Sequence, residues 1–407
     1  MTRIFWLKTL KNPLKIRSFT GPQARNYQQN MKKSTAPRLL ISTGMEENDV
    51  RYATGLSAPD PFCLLIDPAG HLHLLVSALE AARARHTCPR AILHTPADLF
   101  PGETPVRRRL EEQVLALVRR LGCAAVQVGP HFPLGLARTL EACGMKVRMT
   151  NAPPFPRRAV KSPEEIAAIA KAQRAAVVAM RAAIQCIHSA TIDPGGILKL
   201  RGRTLTSTHV KEVIELALLA RRCAPEQGTI VAIGPQAARP HDSGSGPLRA
   251  GVPIVIDIFP RDKDTGYWGD LTRTVVRGPA PASIRKIHCA VLRAQQLALA
   301  MLRPGVEARA VHCAVAAFFR QAGFDTRLAP PGRECGFIHS LGHGLGLDIH
   351  ESPGLRHEPG RLVAGNVLTV EPGLYYPALG GVRIEDTVVI TPAGHKILAT
   401  CPKKLET

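Results

Sequence analysis

The chain has 407 residues, of which 45% are hydrophobic, so it is long enough for two globular domains with ordinary cores. Lysine and arginine number 53 against 32 acidic residues, and the formal charge of +21 would suit an anionic partner. Aromatic residues make up only 4% of the chain and no apolar run reaches the length of a membrane span, which disfavours sequence-specific nucleic-acid binding and excludes a membrane helix.

The N-terminal segment, residues 1–37, is basic, and the first acidic residue of the chain is Glu46. This composition is typical of a transit peptide, but it also arises when an upstream start codon is chosen, and Met31 followed by KKSTAP is typical of a natural start. We therefore expect a disordered extension or a mis-assigned start. The ten cysteines occur singly, which indicates reduced thiols and a cytoplasmic location, with mitochondrial targeting as the lesser alternative.

Residues 38–150 alternate short apolar runs with helical patterns. The runs LLIS, PFCLLIDP, LHLLV, AILHT and AAVQVG are typical of β-strands. The clearest helix is VRRRLEEQVLALVRRLG, whose apolar face consists of Val106, Leu110, Val114, Leu117 and Leu121. These patterns predict a small α/β domain.

The sequence NAPPFPRRAVKSPEE indicates an exposed connection, because closely spaced prolines and a basic run disfavour regular structure. We assign residues 151–161 as a linker. Ser162, Pro163 and Glu165 then form a capping box with proline at the first helical position, which predicts the start of a helix.

An apolar stripe continues that helix to Ile187, and Gln173 interrupts the stripe, so the pattern leaves the burial of Gln173 open. A second helix is predicted over residues 209–222, followed by the strand GTIVAIG. We predict a second domain over residues 162–402, rich in β-branched residues and glycine towards its end, and an α/β (α+β) fold class for the whole chain.

The segment VPIVIDIFPRDKDTGYWGDLTRTVV, residues 252–276, is predicted to form a hairpin that turns at Gly266. Such a hairpin brings Asp257 and Asp270 together. Asp257 interrupts a buried apolar run, where an unpaired polar group costs about 2–7 kcal/mol, so a positive partner is expected. The alternative is that one aspartate caps a turn and the other pairs with Arg273.

Two glutamates extend this acidic set: Glu371 ends the apolar run of LTVEPGLYY, and Glu385 lies inside GVRIEDTVVIT. If both converge with the two aspartates, four negative charges in a pocket of low dielectric would be protonated unless two divalent metals balanced them. His343, in HSLGHGLGLDIHE, is the best candidate for a nitrogen ligand, and the glycines beside it would permit close approach of the backbone. Oxygen-rich ligands with one imidazole favour Mn, Co, Fe or Zn.

In this order, DIFPRDKDTGYWGDLTRT, HSLGHGLGLDIHE, LTVEPGLYY and GVRIEDTVVIT resemble the signature segments of the pita-bread metallopeptidases, in their Xaa-Pro aminopeptidase and prolidase branch. The segment ENDVRYATGLSAPDPF is similar to part of the creatinase-type N-terminal domain of that branch. The resemblance implies a small creatinase-like N-terminal α/β domain followed by a C-terminal pita-bread catalytic domain.

The resemblance also implies a ligand set for two divalent metal ions, with manganese favoured and cobalt or zinc as alternatives. The implied ligands are Asp257, Asp270, His343, Glu371 and Glu385. In such a site the metals lower the pKa of the attacking water and polarise the scissile carbonyl. Glu371 would carry the proton from the water to the leaving amine.

Three further histidines match family positions. His241 and His350 match the histidines that face the substrate and stabilise the tetrahedral intermediate, and His339 matches one that lines the leaving-residue pocket. Arg383 would contact and orient the carboxylates. The alternative for each histidine is a residue with no role in catalysis.

The sequence departs from the family pattern in one place. Asp257 and Asp270 are 13 positions apart, about two more than in the family, and the additional RDKD is predicted to lie at the hairpin tip, where insertions are tolerated.

The predicted activity is removal of the N-terminal residue from peptides with proline in the second position, as in an Xaa-Pro aminopeptidase. The alternatives are an Xaa-Pro dipeptidase (prolidase), a methionine-aminopeptidase-like enzyme, and a metal-free creatinase-like or non-catalytic relative. The implied partners are a peptide substrate and a second copy of the chain in a homodimer, without a specific nucleic acid or a membrane.

Overall fold

The computed structural model describes residues 36–102, 108–328, 330, 334–356 and 359–407. Most of the predicted N-terminal extension, and Val106 of the predicted helical face, therefore lie outside the described residues. The chain divides into two compact units, Met1–Pro156 and Arg157–Thr407, and this division falls inside the predicted linker. Within the described residues, every helix is too short or too polar to cross a membrane.

The strands of the first unit form one mixed sheet. They are β1 (Arg38–Ile41), β2 (Cys63–Ile66), β3 (Leu72–Leu75), β4 (Ile92–His94), β5 (Ala125–Val128) and β6 (Lys146–Met149). The helices are α1 (Glu47–Thr54), α2 (Ala78–Thr87), α3 (Pro96–Leu99), α4 (Leu110–Arg120) and α5 (Leu134–Ala142), with a 3-10 turn at Gly44–Glu46. The sheet order is β4-β3-β2-β1-β5-β6. Strands β1, β2 and β3 are antiparallel, and the other pairs are parallel.

This sheet has an apolar core on each face. In β1, Leu39 and Ile41 pack into one core and Leu40 into the other, as the alternation of side chains along a strand requires. Helix α4 buries Val114 and Leu117 against the first core. The predicted α/β domain and its amphipathic helix are confirmed.

The second unit contains four α-helices among its described residues, preceded by a 3-10 turn at Pro156–Ala159. They are α6 (Pro163–His188), α7 (Ser207–Leu219), α8 (Ala282–Met301) and α9 (Ala308–Gln321). Its early strands are β7 (Thr191–Ile192), β8 (Leu198–Leu200), β9 (Arg203–Thr204), β10 (Cys223–Ala224), β11 (Ile230–Ile233), β12 (Ile254–Ile258), β13 (Arg261–Asp262) and β14 (Leu271–Val275). Its later strands are β15 (Gly342–Gly344), β16 (Glu351–Leu355), β17 (Val367–Val370), β18 (Gly373–Tyr376), β19 (Gly380–Arg383), β20 (Asp386–Thr391) and β21 (Gly394–Ile397).

The two helices of the first pair begin at side-chain caps. Ser162 Oγ accepts a hydrogen bond from Glu165 N at 3.3 Å, and Ser162 N donates to Glu165 Oε2 at 2.8 Å, so the predicted capping box of α6 is confirmed. Helix α7 was predicted over residues 209–222, but it begins earlier because Thr206 Oγ1 accepts from His209 N at 3.2 Å. It also ends earlier than predicted, and the chain turns at Arg222, whose φ is 57°.

The second unit repeats one order of elements, in which two helices precede an antiparallel sheet. We call residues 163–275 the first half, with α6, α7 and the sheet β11-β12-β14. We call residues 282–397 the second half, with α8, α9 and the sheet β16-β15-β17-β20-β21. Each helix pair packs on its own sheet in a separate apolar core.

The predicted hairpin over residues 252–276 is confirmed, since β12 and β14 pair antiparallel and Gly266 takes a φ of 78°. Its tip is more constrained than the sequence indicated. Strand β13 pairs with β10, and the Asp262 carboxylate accepts from Thr265 N at 2.8 Å and lies 2.7 Å from Lys171 Nζ. The additional residues RDKD lie between β12 and β14, as predicted, and these contacts hold Asp262 in place.

Candidate metal centre

The two aspartates lie on neighbouring strands of the first half. Asp257 is in β12, opposite Thr272 of β14, and Asp270 immediately precedes β14. Both are buried. Arg383 Nη2 donates to Asp257 Oδ2 at 2.8 Å, whereas Asp257 Oδ1 has no hydrogen-bond partner among the described residues. The alternative pairing with Arg273 is wrong, because that side chain donates to Asp386 Oδ1 at 2.7 Å.

The two glutamates occupy matching places in the second half, since Glu371 immediately follows β17 and Glu385 immediately precedes β20. Glu371 N donates to Leu341 O at 2.9 Å, which holds this residue beside the chain that enters β15. Thr272 Oγ1 donates to Glu385 Oε2 at 2.7 Å. A hydroxyl of the first half therefore holds a carboxylate of the second half.

His343 is the central residue of β15, between two glycines. A Cβ at Gly342 would lie 2.0 Å from Thr369 O, and one at Gly344 would lie 2.2 Å from Glu351 O. The glycines thus permit the close approach of β15 to its neighbouring strands.

The ring of His343 points one nitrogen into the acidic cluster. Nδ1 donates to Gly344 O at 3.1 Å, so Nε2 faces Asp270 Oδ2 at 3.4 Å and Glu371 Oε1 at 3.5 Å. Candidate ligand atoms of Asp270, His343 and Glu385 all lie within 4.8 Å of one another. Among the described residues, these three side chains form a group that could hold a metal ion.

The cluster retains protons in the absence of metal. Burial, reinforced by the neighbouring carboxylates, raises the pKa of Glu385 well above its ordinary value and raises the pKa of Glu371 to about 7. Burial also raises the pKa of Asp270. Burial alone would lower the pKa of His343, but the carboxylates of Asp270 and Glu371 outweigh it and raise that pKa to about 9.

This donor set fits divalent metal ions. The raised carboxyl pKa values mean that Arg383 and His343 do not neutralise the acidic groups. The unpartnered Asp257 Oδ1 is a further oxygen available to a cation. Four carboxylates and one imidazole are the ligands preferred by Mn, Co, Fe or Zn rather than by a thiophilic metal.

Arg383 connects the carboxylates to a tyrosine that the sequence did not single out as a partner. Besides its bond to Asp257, the guanidinium donates from Nη1 to Tyr375 Oη at 2.8 Å and from Nε to Thr272 Oγ1 at 3.2 Å. Tyr375 is completely buried. The predicted bracing contact of Arg383 with a carboxylate is present.

Both ring nitrogens of His339 are engaged within the protein. Tyr375 Oη accepts a hydrogen bond from Arg383, so its own hydroxyl donates to His339 Nε2 at 2.9 Å, and His339 Nδ1 donates to Ser340 O at 2.7 Å. Burial and the charge of Arg383 lower the pKa of His339 to about 3. His339 is therefore neutral and has a ring face or edge to offer a ligand.

The sequence model of metallopeptidase family M24 matches residues 167–392, more than half of the chain, and this segment contains every residue of the cluster. The chain belongs to metallopeptidase family M24. An Xaa-Pro dipeptidase of Pyrococcus furiosus is 35% identical over 250 residues, which are 61% of this chain and 65% of that relative. The match thus spans slightly less than two thirds of the curated relative.

Solved structures of similar proteins extend over both units of this M24 chain. The prolidase from Pyrococcus furiosus has a TM-score of 0.74 and 25% identity, covering 93% of this chain and 99% of that chain. The X-Pro aminopeptidase from Thermotoga maritima has a TM-score of 0.72 at 23% identity. The alignment covers 92% of this chain and 98% of that chain, so the two proteins share a fold. The predicted α/β fold with a C-terminal pita-bread domain is confirmed.

His350 lies against His343 at the edge of the M24 cluster. The two rings meet edge to face, with centroids 4.3 Å apart and an angle of 85°. Burial and the neighbouring His343 lower the pKa of His350 to about 4. His350 is therefore neutral near pH 7, and its side chain is exposed enough to meet a ligand.

His241 is exposed on the loop after β11. Pro240 O, one residue earlier, accepts from Arg383 Nη1 at 3.5 Å. Of the four predicted histidines, only His343 enters the cluster, whereas His350 packs against His343 and His339 contacts Tyr375, the partner of Arg383.

Two basic residues near the start of the second unit form ion pairs with Glu351, the residue after His350. Glu351 pairs with Arg158 at 2.6 Å and with the buried Lys161. Trp268 Nε1 donates to Leu347 O at 3.0 Å, which attaches the same segment to the first half. None of these contacts was predicted, because the partners are far apart in the sequence.

Proposed function

We propose that this M24 protein is a divalent-metal-dependent peptidase that hydrolyses the bond between an N-terminal residue and a following proline. The observation that carries the proposal is the convergence of Asp270, His343 and Glu385, with candidate ligand atoms within 4.8 Å of one another. The similarity to an Xaa-Pro dipeptidase and to a prolidase supports the choice of proline in the second position.

Five side chains would hold two divalent ions, with manganese favoured over cobalt or zinc: Asp257, Asp270, His343, Glu371 and Glu385. When bound, the metals would lower the pKa of a water molecule and polarise the scissile carbonyl. Arg383 would keep Asp257 oriented through its 2.8 Å bond, and Thr272 would do the same for Glu385.

Glu371 would move the proton during the reaction. Its Oε1 lies 3.3 Å from Thr369 Oγ1 and 3.5 Å from His343 Nε2, which fixes the orientation of the carboxylate. Burial and nearby acids raise its pKa to about 7 in the metal-free protein. The carboxylate would take a proton from the attacking water and give it to the leaving amine nitrogen.

The imidazoles around the cluster would bind the substrate. His350 and His241 would donate N–H groups to the oxygen that becomes negative as the scissile carbonyl turns tetrahedral. His339, whose nitrogens are engaged by Ser340 and Tyr375, would contact the leaving residue through its ring.

The length of the peptide substrate is the finer part of the proposal. The sequence-based prediction is an Xaa-Pro aminopeptidase, which acts on longer peptides. The relative at 35% identity is an Xaa-Pro dipeptidase, and it favours the dipeptide as the second candidate.

A homodimer and a cytoplasmic location complete the proposal, the latter supported by ten free cysteines. Residues 38–150 and 162–402 are the proposed domains.

The test is release of the N-terminal residue from an Xaa-Pro dipeptide and from an Xaa-Pro-Xaa tripeptide. Metal-stripped protein is assayed alone and after addition of Mn²⁺, Co²⁺ or Zn²⁺. We expect metal-dependent cleavage that disappears in Glu371→Gln and persists in Glu212→Gln, a matched change at an exposed glutamate. Cleavage of the dipeptide alone would indicate a dipeptidase, and cleavage of the tripeptide alone would indicate an aminopeptidase. Metal binding without cleavage of either peptide refutes the proline-directed activity.

A further inference from the structure

Two glutamines are completely buried in the second unit, one in the first helix of each half. They are Gln173 in α6 and Gln295 in α8. A buried side-chain amide is unfavourable unless hydrogen bonds replace its contacts with water. Both amides are directed at main-chain groups of the proposed metal ligands or of the residues next to them. The function proposed above assigns no role to these amides.

Gln173 binds both main-chain polar groups of Asp270. Its Nε2 donates to Asp270 O at 2.7 Å, and its Oε1 accepts from Asp270 N at 2.7 Å. The last pair between β12 and β14 joins Ile258 with Leu271, so the sheet supplies no partner at Asp270. The amide of Gln173 therefore takes the place of a neighbouring strand at the ligand itself.

The backbone beside Asp270 is shaped for this contact. A Cβ at Gly269 would lie 2.7 Å from both Ala172 C and Gln173 N, so any larger residue would push the chain away from α6. Thr387 Oγ1, from the second half, also lies 2.9 Å from Asp270 O. Asp270 is thus held by a helix of one half and a strand of the other.

Gln295 makes the corresponding contact in the second half. Its Nε2 donates to Val370 O at 3.0 Å and to Ile384 O at 3.3 Å. These residues immediately precede Glu371 and Glu385. Gln295 Oε1 has no partner among the described residues, and the reverse placement of the amide would bring that oxygen against two carbonyl oxygens.

We propose that the side-chain amides of Gln173 and Gln295 are positioning groups that set the spacing of the metal-binding carboxylates. Gln173 acts on Asp270, and Gln295 holds together the two chains that present Glu371 and Glu385. The inference rests on the proposed metal binding. It adds that the affinity for metal depends on groups that touch neither the metal nor the substrate.

The experiment compares Gln173→Met and Gln295→Met with Gln185→Met and Gln296→Met. Methionine keeps the length of glutamine without its hydrogen bonds, and the control positions are exposed residues of the same two helices. Three quantities are measured for full-length protein: Mn²⁺ affinity after metal stripping, by calorimetry; the unfolding temperature of the metal-free form; and kcat and KM against Mn²⁺ concentration.

We expect each buried substitution to weaken Mn²⁺ binding by about 10- to 100-fold, as for other residues that orient metal ligands, while the control variants bind like the wild type. Activity should shift to higher Mn²⁺ concentration, with KM for the peptide little changed. If Gln173→Met does not fold, Thr387→Val removes the hydroxyl beside Asp270 O and should weaken Mn²⁺ binding severalfold.

The proposal is overturned if Gln173→Met and Gln295→Met lower the unfolding temperature but bind Mn²⁺ with wild-type affinity, since the amides would then only satisfy packing. Equal weakening in the control variants would also overturn it. A wild type that binds Mn²⁺ without cleaving either peptide refutes the proposed activity, and the affinity comparison still decides the role of the glutamines.

Discussion

The two halves of the second unit contribute to the acidic cluster in parallel ways. The first half places one carboxylate in β12 and one immediately before β14, and the second half places one immediately after β17 and one immediately before β20. In each half the first helix directs a buried glutamine at this region. Each half therefore contributes two of the four carboxylates.

The halves differ in the histidine and arginine side chains that they place near the cluster. His339, His343 and His350 all lie between α9 and β17, in a segment that the first half does not match, and Arg383 also belongs to the second half. The first half supplies only the exposed His241. The comparison teaches that the acidic groups are divided equally between the halves, whereas the imidazole and guanidinium groups near them come mainly from the second half.

The largest effects should come from removing one carboxylate of each half. Asp270→Asn and Glu385→Gln should each reduce kcat/KM by about 1000-fold, because the metals supply several kcal/mol of transition-state stabilisation. Calorimetry should show loss of Mn²⁺ binding in both variants, and Glu212→Gln serves as the exposed control. A variant that keeps full activity would show that the replaced carboxylate is not a required ligand.

A histidine of the second half should affect catalysis without affecting metal. His350→Ala should lower kcat by about 100-fold, the typical cost of losing one donor to a developing oxyanion. Mn²⁺ affinity should stay at the wild-type value, as in the exposed control His209→Ala. Parallel loss of affinity and kcat would instead make His350 a ligand and contradict its assignment as a substrate contact.

Metal binding should release protons, mainly from the second half. In the metal-free protein the pKa of His343 is raised to about 9 and that of Glu371 to about 7, so both hold protons that a metal must displace. Apparent Mn²⁺ affinity should therefore rise by about tenfold per pH unit between pH 7 and 9 for one proton released. Calorimetry in buffers of different ionisation enthalpy measures this release, and identical heats in all buffers would contradict it.

The same two pKa values predict how stability changes with pH. Both groups bind protons more tightly in the folded state than in the unfolded chain, so their stabilising contribution is complete below the unfolded pKa and is lost as pH rises through the folded pKa. The unfolding temperature of the metal-free protein should fall between pH 6 and 9. Saturation with Mn²⁺ should reduce that slope.

The smallest effects belong to the additional residues at the hairpin tip of the first half. Asp264→Asn should change the free energy of unfolding by less than about 1 kcal/mol, because its ion pairs with Arg222 and Lys171 are exposed. Asp262→Asn should cost about 1–3 kcal/mol, because this buried carboxylate satisfies main-chain donors. Urea unfolding measures both, and equal costs would show that the tip is not fixed by Asp262.

The acidic cluster could be predicted from the sequence because its carboxylates interrupt segments that otherwise have the pattern of buried strands. Asp257 interrupts an apolar strand and Glu385 lies in a β-patterned segment, and both features can be read within a few residues. The hydrogen-bond partners could not be read in this way. Thr272 and Glu385 are 113 positions apart, and Gln173 and Asp270 are 97 apart. The interruption of the α6 stripe by Gln173 was the one local signal of such a contact.

The sequence by itself determined the helices, the strands, the hairpin and the acidic positions, because hydrophobic periodicity and the cost of a buried charge act over short stretches of chain. Tertiary structure alone decided that Asp257 pairs with Arg383 and not with Arg273, and that Tyr375 engages His339. It also decided that glycines 342 and 344 serve the packing of β15. Ion pairs, hydrogen bonds and close contacts in a core depend on separations of a few ångströms, which chain folding sets and residue order does not.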